Sequence, residues 1–171
     1  MVRSPRMIWA GTIAFLLLLA AGCSAGDGSE PSADNHSEAP RDLSVERISS
    51  GDAGQRPEQP RVILAPSAAA LSEAMGANIP DSGNGTYLAA YWGEKPTGGY
   101  TLAVESARIE GDRVTVRLAL KEPPSDAIVT QALTYPYAVA VVRDLKLQDK
   151  DFSFVDQDGK ELGWRIRLVD G

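Results

Sequence analysis

The chain has 171 residues, 43% of them hydrophobic, and a formal net charge of -6. That length allows one domain plus additional segments, and an acidic balance argues against nucleic acid, which calls for a basic footprint. The one histidine, His36, sits in a polar segment with no predicted fold, and the one cysteine, Cys23, closes the apolar leader, so a Ser-His-Asp triad, a Cys-His pair and a His- or Cys-ligated metal site are not expected, and no disulfide can form within one chain.

Residues 1–22 read as a secretion signal. Arg3 and Arg6 precede a short apolar run, Ile8–Leu19, too short to favour a permanent membrane span. The run ends in Leu19-Ala20-Ala21-Gly22-Cys23, which resembles the lipobox of bacterial lipoproteins, with Ala20 where leucine is usual. The resemblance implies that Cys23 becomes a lipidated N-terminus carrying two or three acyl chains, palmitate among them. Each buried methylene contributes about 0.8 kcal/mol, so several chains hold where one would not. The expected location is extracytoplasmic, anchored in the cell membrane or an outer membrane. Residues 23–42 are rich in Ser, Gly, Pro, Asp and Glu, without aromatic or β-branched residues, and read as a flexible tether.

The domain is expected over 43–171. Leu43–Ile48 alternates as a first strand, and Arg61–Ala65 as a second. Ser67 is placed to cap a helix over Ala68–Met75, which Gly76 closes. Tyr87–Trp92 carries apolar groups on both faces and reads as a buried strand. Gly93–Gly99 supplies turn residues, and Tyr100, Leu102 and Val104 alternate in the next strand, so 87–106 predicts a hairpin with an elaborate tip. Val114–Leu120 is the cleanest alternation in the chain. A core strand is expected over Ala138–Val142. Phe152–Val155 and Leu162–Val169 flank Asp158-Gly159 and predict a terminal hairpin. The sum is an α+β domain, a mainly antiparallel sheet with one short helix.

Two segments then point to a family. Tyr91-Trp92-Gly93-Glu94-Lys95-Pro96-Thr97-Gly98-Gly99-Tyr100 resembles the hallmark of the PrcB C-terminal domain, found in protease complex subunit PrcB-like bacterial lipoproteins. Gln131-Ala132-Leu133-Thr134-Tyr135-Pro136-Tyr137 is similar to that family's Gln-x-x-Thr-x-Pro-Tyr segment. The resemblance is strongest over 86–143. It implies an accessory protein that associates with a surface serine protease, with no assigned catalytic residue.

Candidate contact residues for such a partner are Pro96, Thr97, Gly98, Gly99, Tyr100, Gln131, Thr134, Tyr135 and Tyr137. Each also has a purely structural reading, as a turn or as a packed strand entry. Asp149, Asp151, Asp156 and Asp158 depart from calcium-loop spacing and read as a solvated acidic turn, so no metal and no cofactor are expected. The expected function is therefore a lipid-anchored, non-enzymatic interaction domain for a secreted or surface protease or another envelope protein. The alternatives are an envelope small-ligand binder, with a pocket lined by Tyr87, Trp92 and Tyr100, and an enzyme using carboxylates such as Glu94 and Glu122.

Overall fold

A computed structural model describes residues 39–52 and 55–170. The secretion signal, Cys23 and most of the tether lie outside them. In chain order the elements are β1 (Arg41–Leu43), β2 (Val45–Asp52), β3 (Arg61–Ala65), α1 (Ala68–Met75), β4 (Gly85–Tyr91), β5 (Thr101–Glu110), β6 (Arg113–Lys121), β7 (Pro136–Arg143), β8 (Asp151–Val155) and β9 (Arg165–Leu168). The strands form two sheets, β1-β5-β6-β8 and β2-β7-β4-β3-β9. Pairing is antiparallel except at β3–β9 and β6–β8, which are parallel.

Period-two patterning decides which strand goes where. Leu88 and Ala90 of β4, with Val62 and Leu64 of β3 and Ala140 and Val142 of β7, face the first sheet. There they meet Leu102, Val104, Val114, Val116, Leu118, Phe152 and Phe154. Tyr87, Ala89 and Tyr91 face the opposite way, with Ile63, Val139 and Val141, onto Leu71 and Met75 of α1. The second sheet is thus a middle layer with apolar cover on both faces, as the two-faced pattern of β4 requires. Full burial of a side chain such as Leu88 contributes about 1.5–3 kcal/mol.

The helix forms as its ends dictate. Ser67 Oγ accepts from the Ala70 amide at 3.2 Å. At the other end the Gly76 amide donates to the Glu73 carbonyl at 3.2 Å and the Ala77 amide to the Ser72 carbonyl at 3.1 Å.

Three expectations are corrected. The strands around 93–99 are not a hairpin: β4 and β5 belong to different sheets. β4 already has β3 on one edge and β7 on the other, so no edge is left for β5. β5, apolar on one face only, suits the outer sheet and pairs with β6 around Gly111. The expected first strand is two strands. The chain leaves the first sheet after Leu43 and pairs Val45 with Val142 in the second, and pairing already starts at Arg41. The expected terminal hairpin closes only at its tip. The Asp156 amide donates to the Lys160 carbonyl at 2.9 Å and the Leu162 amide to the Phe154 carbonyl at 2.8 Å. Beyond it β8 joins β6 and β9 joins β3. Phe152 and Phe154 reach the inter-sheet core only from beside β6, which draws β8 away from β9.

Candidate functional site

The two motifs that single themselves out in the sequence lie at consecutive crossings between the sheets. The first, 92–100, leaves the end of β4. The second, 122–135, leads from β6 into β7. Because β4 and β7 are antiparallel neighbours with Tyr91 opposite Tyr137, the exit of one and the entry of the other are side by side.

Backbone bonds then join them. The Lys95 amide donates to the Thr134 carbonyl at 2.8 Å, and the Thr134 amide returns to the Lys95 carbonyl at 3.0 Å. The Trp92 amide donates to the Pro136 carbonyl and the Gly98 amide to the Thr130 carbonyl, each at 2.9 Å. Thr134 Oγ1 donates to the Thr97 carbonyl at 2.7 Å. Paired backbone groups of this kind make a loop as ordered as a sheet edge.

Two glycines make the close approach workable. Gly93 has φ +80°, and a Cβ there would stand 2.9 Å from the Glu58 carbonyl oxygen and 3.1 Å from the Gln59 carbonyl carbon. Gly99 has φ +90°, and a Cβ would stand 2.9 Å from Pro123 Cβ and 3.0 Å from Val129 Cγ1. Both positions exclude larger residues by conformation and by space.

A cation sits inside the first loop. Lys95 Nζ lies 4.3 Å from the Trp92 ring centroid and 5.6 Å from that of Tyr100. The two rings meet edge to face, with centroids 5.5 Å apart at 75°. Burial holds the Lys95 pKa below its ordinary value, and the charge of Glu122 pulls it partly back. Tyr135 is buried and donates from its hydroxyl to Glu94 Oε2 at 2.7 Å. That hydrogen bond is the main cause of its raised pKa. Its amide donates to Asp52 Oδ1.

The expected contact residues therefore divide. Pro96, Thr97, Gly98, Gly99 and Tyr100 come together with Thr134 and Tyr135. Of these, Pro96 and Gly99 are exposed, Thr97, Gly98, Tyr100 and Thr134 are half-buried, and Tyr135 is buried. Gln131 is exposed and donates only to the nearby Val129 carbonyl, at 3.3 Å. Tyr137 lies elsewhere, with its ring centroid 6.3 Å from that of Tyr91 on the α1 side of the second sheet. The sequence reading missed Ile128, which is fully exposed, and Leu133, also exposed, in the second loop. Their signal is two bulky apolar residues in the stretch that follows Pro123-Pro124 and precedes the core strand.

Tyr87, Trp92 and Tyr100 do not line one cavity. Tyr87 points to the α1 side, where its hydroxyl accepts from the Ser82 amide at 2.8 Å and lies 3.0 Å from Asp81 Oδ1. Of the carboxylates, Glu94 is engaged by Tyr135, and Glu122 acts on Lys95. Asp156 accepts from the Asp158 and Lys160 amides at 2.9 and 2.8 Å. Among the described residues no cluster of acids, histidine or cysteine is arranged to hold a metal.

Residues 86–143 match the family model described as PrcB C-terminal. This segment is similar to PrcB C-terminal domains. Comparison with curated proteins and with solved structures gave no match. The PrcB match covers β4 through β7 and both joined loops. Strands β1–β3, α1, β8 and β9 complete the two sheets from outside it.

Proposed function

We propose that this chain is a lipid-anchored, non-enzymatic interaction domain, an accessory or stabilising subunit of a secreted or surface protein. The PrcB resemblance makes a surface protease the first partner to test. In this reading Cys23 carries the lipid and fixes the protein outside the cytoplasm, and the tether lifts the domain from the membrane. The joined loops present the contact surface. The observation that carries the reading is the loop pair itself. Eight of the nine expected contact residues lie in two loops fastened by backbone bonds, all but Tyr137, with the bulky apolar side chains of Ile128 and Leu133 left in water. A rigid rim with exposed apolar tips suits an interface core, where little ordering entropy remains to be lost on binding.

The test follows the partner's fate. Cells lacking this protein are supplied with the wild type, with Cys23→Ala, or with Ile128→Asp/Leu133→Asp, and the secreted proteases are quantified. The reading expects one of them to fall with both variants. Unchanged amounts of every secreted or surface protein with the loop variant would end it.

A small-ligand reading is favoured by a different observation. A cavity of about 590 Å³ is lined by Met75, Ile79, Tyr91 and Tyr137, among others. The Tyr91 hydroxyl is buried beside it without a hydrogen-bond partner. Binding of a small ligand that Tyr91→Phe weakens, with loop-pair variants neutral, would support this second reading.

A further inference from the structure

The second sheet ends at β9, and no described residue pairs with the outer edge of that strand. β9 runs parallel to β3 in the register Arg61↔Arg165, Val62↔Ile166, Ile63↔Arg167, Leu64↔Leu168. The Val169 amide donates to the Leu64 carbonyl at 2.9 Å. Backbone groups alternate sides along a strand. Val169, Arg167 and Arg165 therefore turn theirs to β3, while the amides and carbonyls of Ile166 and Leu168 point outward, open to an added strand.

The side chains of β9 alternate in the same way. Ile166 and Leu168 share the face of Val62 and Leu64, toward the inter-sheet core, yet remain 38% and 60% exposed. Arg165 and Arg167 share the other face with Arg61 and Ile63. Both are exposed, and neither forms an ion pair among the described residues, although the chain is acidic overall.

The other edges are blunted. β1 has three residues, β2 is bulged between Arg47 and Ser49, and the outer edge of β8 is partly taken by the bridge of Val155 to Glu161 and by the Leu162 amide on the Phe154 carbonyl.

We propose that the outer edge of β9 is a strand-addition site for an extended acidic segment of a partner protein, in which Glu or Asp alternates with apolar residues. Its backbone pairs with Ile166 and Leu168, its apolar side chains cover theirs, and its carboxylates meet Arg165 and Arg167. A second copy of β9 does not fit. Any register that brings the apolar side chains together sets arginine against arginine, and a slip by one residue sets arginine beside Ile or Leu. The surface shares no residue with the loop pair, so it stands or falls independently of the function proposed above.

The test uses the full-length chain in detergent micelles and two fluorescein-labelled peptides, one of alternating Glu and Val, the other of alternating Lys and Val. Anisotropy is expected to show binding of the Glu/Val probe that weakens with salt. Arg165→Glu/Arg167→Glu is expected to weaken it by about tenfold or more and to admit the Lys/Val probe. Hydrogen exchange should slow at the Ile166 and Leu168 amides, because those are the free donors. The proposal is overturned by failure of the Glu/Val probe to bind, by equal binding of both probes, or by protection appearing on the loop pair instead. Binding of phosphatidylglycerol vesicles through the two arginines, without peptide binding, would assign them to a lipid surface and overturn it as well.

Discussion

Three glycines of one loop give the account a graded test. Gly93→Ala places a methyl at φ +80°, 2.9 Å from the Glu58 carbonyl oxygen and 3.1 Å from the Gln59 carbonyl carbon. The left-handed conformation costs an L-residue about 1–2 kcal/mol, and forcing extra volume into a packed site adds about 1–3 kcal/mol. The wall is backbone, which cannot swing aside as a flexible side chain would. The expected loss is therefore about 2–5 kcal/mol. Gly99→Ala meets the same backbone penalty at φ +90°, and its neighbours are side-chain carbons of Pro123 and Val129. Pro123 Cβ is fixed by its ring and the β-branched Val129 is stiff, so a similar loss of about 2–5 kcal/mol is expected. Gly98→Ala has no positive φ, and its Cβ would lie 3.5 Å from Thr130 Cβ, an ordinary contact. It should change stability by less than about 0.5 kcal/mol. Urea unfolding of the four proteins, read at constant m-value, measures all three differences. A Gly98→Ala loss equal to that of Gly93→Ala would refute the loop geometry.

The remaining predictions concern charge, capping, the contact surface and the anchor. Lys95 has a folded-state pKa below its unfolded value, so the unfolded chain binds more protons between the two values. Stability should therefore rise with pH as it passes upward through the folded pKa, and Lys95→Met should abolish that rise. Removing the nearby negative charge by Glu122→Gln should lower the Lys95 midpoint further, which an NMR titration of its Nζ reads directly. The Tyr135 phenol should titrate above the ordinary tyrosine range, and Glu94→Gln should bring it back, because the carboxylate it donates to is the main cause of the shift. Ser67→Ala removes the acceptor for the Ala70 amide and should cost about 1 kcal/mol in thermal or urea unfolding. Cys23→Ala should move the protein from the detergent phase to the aqueous phase on Triton phase separation.

How far the sequence could be read depends on the range of the interaction. Ser67, Ala68–Met75 and Gly76 act within a few residues, so the helix and both its ends were visible. The two-faced run of β4 and the one-faced runs of β5 and β6 were visible as well, because alternation reports burial. Alternation does not report which strand lies alongside. The turn residues at 93–99 and 158–159 suggested hairpins, yet in each case the next strand crosses to the other sheet. The switch between β1 and β2 at Ser44 leaves no break in the pattern, since Leu43 and Val45 are both apolar and each packs against the inter-sheet core.

The loop pair shows the same limit. The first motif is legible as turn chemistry and the second as a strand entry, but their closure on one another is not. The bond from Thr134 to Thr97 spans 37 residues, and that from Tyr135 to Asp52 spans 83. Nothing local in Asp52, the last residue of β2, distinguishes it from any other exposed acid. Tyr137 is near Tyr135 in the chain but lies within β7, on the α1 side with Val139 and Val141, whereas Tyr135 precedes the strand and is held by Glu94. Ile128 lies outside the 131–137 motif and Leu133 at one of its unspecified positions, so the motif singles out neither.

The central claim, that the joined loops hold a partner, is tested most directly by quantitative crosslinking and pulldown of the intact protein from native membranes. The wild type is compared with Ile128→Asp/Leu133→Asp, both carrying the same tag. The account predicts one secreted or surface protein recovered in stoichiometric amount with the wild type and reduced by about tenfold or more with the variant, while urea unfolding of the variant stays within about 0.5 kcal/mol. Equal recovery of that protein with both, or recovery of lipids and abundant envelope proteins alone, would contradict it.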